Sequence, residues 1–218
     1  MTTKTYGQYC GVARALELVG ERWALLIVRD LLVAPKRYTD LKAGLPKIPT
    51  NVLATRLKEL EAAGLVVRTI QPRPSGAIVY ELTPYGAGLD EVVLALGRWG
   101  ARSLGELRPG EIVTADILVM ALRSTFQPGK GKAAYELRFG DLVIHALVDG
   151  DELTAQPGPL TGEAKQPVVV EAFAPLGPLL TGAVDGAEAL KQGLIKTSGT
   201  ASDLDRFAGS FRIGPAPA

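Results

Sequence analysis

KRYTDLKAGLPKIPTNVLATRLKELEAAGLVVRTIQPRPSGAIVYEL, residues 36 to 82, reads as a short helix, a turn, a longer helix and a β-hairpin. Tyr38-Thr39-Asp40-Leu41 opens the first helix, with Thr39 placed to cap it. Pro49-Thr50-Asn51 opens the second. Its residues Val52, Leu53, Leu57 and Leu60 recur on one face, and Gly64 ends it. Leu65 to Ile70 and Ala77 to Leu82 are β-rich runs joined by QPRPSG, the pattern of a hairpin.

Working outward, Val12, Ala15, Leu16 and Val19, then Trp23, Leu26 and Ile27, recur at helical spacing with Gly20 between the two groups. On the other side, a helix from Tyr85 to about Ser103 carries Leu89, Val92, Val93, Leu96 and Trp99 on one stripe. SLGELRPGE, residues 103 to 111, is the strongest boundary signal, because Gly105, Pro109 and Gly110 stand between two apolar-periodic segments. Beyond it the period changes. Ile112 to Phe126 reads as one amphipathic helix. Ala134–Phe139, Leu142–Val148, Glu152–Gln156 and Val168–Ala172 alternate as strands. Pro175–Leu180 and Ala187–Leu194 are helical, Ile195–Ser198 is a strand, and Ser202–Phe211 is a closing helix. The GPAPA tail is expected to fray. The fold class is α+β: a helix-and-hairpin domain over residues 1–104, a linker over 105–111 and an α+β domain over 112–218.

The chain has 218 residues, 47% apolar and 22% charged, as soluble globular proteins do. No apolar stretch reaches the ~18 residues that would span a bilayer. MTTKTYGQYC has no apolar segment of the signal-peptide kind. The single cysteine excludes an internal disulfide and a cysteine-rich metal site. A cytoplasmic location without membrane association or cofactor is expected. The net charge of +1 hides an asymmetry. Up to Gly110 there are 15 Lys and Arg against 10 Asp and Glu; from Glu111 onward there are 9 against 13. The basic half is the one suited to a polyanionic partner.

A helix of about fourteen residues preceded by a short helix and followed by a hairpin is the build of a winged helix-turn-helix, whose second helix fits the major groove of duplex DNA. With Leu53, Leu57 and Leu60 inward, the outward set is Thr50, Asn51, Ala54, Thr55 and Lys58. Asn51 can pair with adenine through two hydrogen bonds, and Thr and Ala can meet a thymine methyl. The alternative for Asn51 is a plain helix cap. Lys36, Arg37, Thr39 and Lys42, in or before the supporting helix, suit phosphate. The hairpin tip offers Arg73, between two prolines, and Ser75.

ALELVGERWALLIVRDLLVAPKRYTDLKAGLPKIPTNVLATRLKELEAAGLVVR, followed by YELTPYG, resembles the HxlR family of MarR-like winged-helix regulators, over roughly Tyr9 to Leu104. The most specific parts are Cys10, Gly20-Glu21-Arg22-Trp23, Arg37 to Leu41, Leu53 to Gly64, and Tyr80-Glu81-Leu82-Thr83. The resemblance implies a homodimer that reads palindromic operators and pairs through its N-terminal and last helices, here about Cys10–Val19 and Leu89–Leu104. Thr50-Asn51 departs from many relatives, so no operator sequence is implied. The resemblance also makes Cys10 a possible sensor of oxidants or electrophiles. A reactive thiol needs a nearby cation or a helix N-terminus, and Arg14 lies one turn on. The other reading of Cys10, favoured from sequence, is a buried inert residue at the dimer seam.

Residues Tyr135 to Phe211 are similar to a sterol carrier protein type 2 domain, on LVIHALVDGDELTAQPG, the Val184-Asp185-Gly186-Ala187 helix start with EALKQGLIKTSG, and SDLDRFAGSF. That resemblance implies a twisted sheet covered by helices around an apolar pocket, lined here by Leu137, Phe139, Leu142, Ile144, Ala146, Leu180, Leu194 and Phe207. The same residues equally describe an ordinary core. His145, the only histidine, alternates to the face opposite Ile144; it reads as a surface or interface residue, with a ligand hydrogen bond as the alternative. No catalytic constellation stands out, so an enzyme is not expected. The reading is a regulator that binds palindromic operator DNA as a homodimer and responds to a small apolar effector. The alternatives are a redox or electrophile sensor working through Cys10, with the second domain a dimerisation or partner module, and a lipid carrier or enzyme that uses the winged helix for protein contacts.

Overall fold

The computed structural model describes residues 5–162 and 166–215, so residues 216–218 of the GPAPA tail lie outside it. The chain divides into two compact units, Met1–Val93 and Leu94–Ala218.

The first unit contains α1 (Gly11–Val19), α2 (Ala24–Leu31), α3 (Tyr38–Gly44), α4 (Thr50–Ala62), the strands β1 (Val66–Ile70) and β2 (Ile78–Leu82), and α5 (Pro84–Ala87). Ile27, Leu31, Leu41, Leu45, Ile48, Leu53, Leu57, Leu60 and Leu65 form one buried cluster. The leucine stripe of α4 is its centre: Leu53, Leu57 and Leu60 are each almost wholly buried. Helix α4 ends as the sequence implies. Gly64 takes φ +69, its N–H donates to the Glu61 carbonyl at 3.0 Å, and the Leu65 N–H donates to the Leu60 carbonyl at 2.9 Å. Two last-turn carbonyls are thereby satisfied, and the chain turns directly into β1.

Two local expectations change. Thr39 is not the cap of α3; Tyr38 is already helical, and the Arg37 N–H donates to the Asp40 carboxylate at 3.0 Å. The expected helix from Tyr85 to Ser103 is two helices, α5 and then α6 (Asp90–Ala101). The Thr83 hydroxyl caps α5 by accepting from the Gly86 N–H at 3.0 Å. A Cβ on Gly86 would come within 2.0 Å of the Leu65 carbonyl, so this short helix is pinned to the strand start and cannot run on in line with α6.

Helix α6 spans the division between the units, and its later half belongs to the second by contact. The Arg98 Nε donates to the Ser124 carbonyl at 3.0 Å, and Gly97 sits so close that a Cβ would meet the Ser124 hydroxyl at 2.5 Å. The division between the units falls between Val93 and Leu94, ahead of the Gly-Pro-rich segment 103–111.

The second unit adds α7 (Ala115–Thr125), β3 (Lys132–Phe139), β4 (Leu142–Asp149), β5 (Glu152–Pro157), β6 (Val168–Ala172), α8 (Gly177–Thr181), α9 (Gly186–Lys191), β7 (Ile195–Thr197) and α10 (Ala201–Ser210). Helix α7 starts three residues later than the apolar period suggests, because the Thr114 hydroxyl caps it from the Ile117 N–H at 3.2 Å. The sheet order is β5-β4-β3-β6-β7, with β3 and β6 parallel and the other pairs antiparallel. Gly140, at φ +56, is the first residue of the tight β3–β4 turn and sets Phe139 opposite Leu142. The face bearing Tyr135, Leu137, Ile144, Ala146 and Val148 is buried. There the Tyr135 ring meets Phe207 of α10 at 5.1 Å, and Phe207 meets Phe211 at 5.0 Å.

Candidate nucleic-acid interface

Helix α4 presents two unlike faces. Opposite its buried leucines, Thr50, Asn51, Thr55 and Lys58 are exposed and Ala54 is half-buried. Asn51 lies in the first turn, after Pro49 at the cap position, so it is not the cap; its amide has no hydrogen-bond partner among the described residues. The Thr55 hydroxyl donates to the Asn51 carbonyl at 2.9 Å. The helix is fixed at its start by the Tyr38 hydroxyl, which donates to the Thr50 carbonyl at 2.8 Å. Arg56, on its flank, pairs with Glu21 at 3.1 Å and with Glu59. A free amide on a rigid helix start is what reading a base edge requires.

The basic residues expected on phosphate divide into two groups. Lys36 pairs its backbone with Tyr80, through N–H to carbonyl bonds of 3.0 and 2.8 Å, an isolated bridge on the free edge of β2. Next to it, the Arg37 guanidinium donates to the Ser75 hydroxyl at 3.2 Å, tying the start of α3 to the hairpin tip. Arg73, Thr39 and Lys58 remain exposed. The Lys42 ammonium donates to the Pro46 carbonyl at 2.9 Å, beyond the end of α3. Two exposed cations on the same elements were not singled out from sequence, Lys47 in the α3–α4 turn and Arg68 on β1. Lys47 could have been found as the one base within that turn; Arg68 looks like any outward strand residue.

Cys10 stands at the N-cap of α1 and is exposed within this chain, not buried. Backbone N–H groups, that of Ala13 first and then that of Val12, draw its thiol below the usual value, against a small desolvation effect. Arg14, the cation expected to do this, is instead paired with Glu17 at 2.7 Å. The outer faces of two helices carry exposed apolar side chains: Tyr9, Val12 and Leu16 at and along α1, and Val92, Leu96 and Trp99 on α6.

Of the residues expected to line an apolar pocket in the second unit, Leu137, Ile144, Ala146, Leu180 and Phe207 are buried, and Phe139, Leu142 and Leu194 are half-buried. An open groove of about 770 Å³ in this unit is lined by none of them. His145 does alternate away from Ile144; its ring Nδ1 lies 3.0 Å from the Gly158 carbonyl, which can only accept, so Nδ1 carries the proton. The neighbouring Glu136 is buried and takes the Arg138 guanidinium at 2.6 Å.

The family model for the HxlR-like helix-turn-helix matches residues 18–108. The HTH-type transcriptional regulator YodB of Bacillus subtilis is 36% identical over 85 residues, covering 39% of this chain and 76% of that protein. YvaP of the same organism, an HTH-type regulator, is 36% identical over 86 residues, 39% of this chain and 80% of its own length. YtcD, also from Bacillus subtilis, is 32% identical over 96 residues, 44% and 76% of the two chains. No helix among the described residues is long and apolar enough to cross a membrane. On the helices, the hairpin and these relatives together, the chain belongs to the HxlR-like helix-turn-helix family of transcriptional regulators.

Proposed function

We propose that the first unit holds duplex DNA, with α4 in the major groove, Asn51, Thr50, Ala54, Thr55 and Lys58 toward the bases, and Arg37 and Arg73 on the backbone or minor groove beside it. The observation that carries this reading is the exposed Asn51 amide, without a hydrogen-bond partner among the described residues, on a helix whose opposite face is locked into the core by three leucines. Two copies pair through the apolar outer faces of α1 and α6, so the operator is palindromic. The test is footprinting against a panel of palindromes at several salt concentrations. Protection of two half-sites about one helical turn apart, ~10 bp or a multiple, is the expected result. A single asymmetric half-site, or affinity indifferent to salt, refutes the reading.

The second unit is the effector module. In the first reading, which the likeness to sterol carriers supports, an elongated apolar molecule sits between sheet and helices against Leu137, Phe139, Leu142, Ile144, Ala146, Leu180, Leu194 and Phe207, and shifts operator affinity by binding two states unequally. In the second, the unit is a packed partner module and the signal enters at Cys10 as oxidation or alkylation. Two observations favour it: the ring contacts near 5 Å under α10, and the exposed thiol with its lowered pKa. Native mass spectrometry of the purified protein separates them, because a retained apolar molecule belongs only to the first. Neither reading includes a catalytic step.

A further inference from the structure

The groove in the second unit gathers three guanidinium groups that have no counter-ion among the described residues. Arg98 and Arg102 lie on and just beyond the end of α6, and Arg212 follows α10. Arg98 Nε donates to the Ser124 carbonyl at 3.0 Å and Arg102 Nε to the Pro215 carbonyl at 2.7 Å. Those bonds orient the two guanidinium planes and leave their terminal nitrogens unused. The Arg212 backbone N–H is held by the Thr125 carbonyl at 2.9 Å, and its side chain has no hydrogen bond or ion pair among the described residues. No carboxylate among those residues pairs with any of the three, although the chain from Glu111 onward carries 13 acids against 9 bases.

Trp99, 72% exposed, adds a flat apolar wall to the groove, and the Gln127 amide and Thr181 hydroxyl complete its polar edge. Like charges collected in a concavity repel one another and focus a positive potential that an anion relieves. A guanidinium fork matches the two oxygens of a carboxylate or phosphate, and an indole face suits a planar apolar body. The volume of about 770 Å³ is that of a small-molecule site, which typically holds ~300–1,000 Å³.

We propose that this groove binds a small anionic molecule, a carboxylate or phosphate ester on a flat apolar body, with Arg98, Arg102 and Arg212 on the oxyanion and Trp99 on the body. The site shares no residue with the apolar layer under the helices and none with α4; it shares Trp99 with the α6 face proposed above to pair two copies.

Isothermal titration of the full chain with naphthoate, naphthyl phosphate and the neutral naphthalenemethanol tests it. One equivalent of either anion should bind per chain, at least about tenfold more tightly than the alcohol, since charge-assisted hydrogen bonds are the stronger class. Whichever anion binds tighter identifies the oxyanion. Arg212→Gln removes no hydrogen bond or ion pair among the described residues, so it should keep the wild-type melting temperature and weaken both anions about tenfold. Trp99→Ala should weaken naphthyl phosphate and leave inorganic phosphate unchanged. Equal binding of alcohol and anions, or unchanged affinity in Arg212→Gln, overturns the proposal. So does an Arg212→Gln chain that loses self-association along with binding, which would make the groove a contact between copies. The titration contains no DNA, so its failure leaves the operator reading standing.

Discussion

In the helix-and-hairpin unit the residues that distinguish the protein stand outside, on the first turns of α4, while the buried cluster is almost wholly aliphatic, mostly leucines, isoleucines and valines. In the sheet unit the arrangement is reversed. The aromatic residues Tyr135, Phe207 and Phe211 gather within, and the outward strand residues are mixed and unremarkable. The first arrangement suits a surface that must meet a rigid partner, because each outward side chain inherits its position from a helix fixed by its opposite face. The second suits a unit whose specificity is made by enclosure, where position depends on which distant strands and helices come together.

The comparison is tested most severely by Leu57→Ala. Leu57 is 1% exposed at the centre of the first core, so the truncation should cost ~2–5 kcal/mol and lower the first unit's urea transition. If the sheet unit's transition falls equally, the two do not melt as separate bodies and the contrast fails. Next is Ala146→Phe. Ala146 is fully buried on β4 between Tyr135 and Ala155, and an added ring there should cost ~1–3 kcal/mol by overpacking. Unchanged stability, together with loss of a co-purifying apolar molecule, would instead reveal a vacancy and favour the apolar-effector reading.

Asn51→Ala should leave folding intact and reduce discrimination between operator and non-operator DNA by ~1–3 kcal/mol, as expected for an amide paired with adenine. Arg37→Ala should weaken all sequences alike and flatten the salt slope by about one ion. Competition binding distinguishes the two, and the same profile from both variants would deny α4 its role. The smallest effect concerns Cys10. Because its backbone hydrogen bonds favour the thiolate, its folded pKa lies below its unfolded one. The stabilisation they bring is present above the unfolded pKa and disappears as pH falls through the folded value. Iodoacetamide, which reacts with the thiolate, should therefore modify the native chain at lower pH than the urea-unfolded chain. Coincident profiles would return Cys10 to an inert role.

The sequence alone was enough for every element that local physics sets: the leucine period and glycine exit of α4, the hairpin, and the alternation that turns His145 away from Ile144 all follow from spacings within a few residues. It misleads at Thr39, where a competing local signal, the Asp40 carboxylate, satisfies the Arg37 N–H, and at Gly86, where tertiary packing on Leu65 divides one apparent helix into two. What only the tertiary structure decided is long-range: the parallel pairing of β3 with β6, the tie between Arg37 and Ser75, and the meeting of Arg98, Arg102 and Arg212 around one groove. The last pair of these arginines is separated by more than a hundred residues, and no periodicity extends that far. The physical reason is that hydrophobic period records which side of an element faces inward, whereas which elements face one another is settled by packing the whole chain.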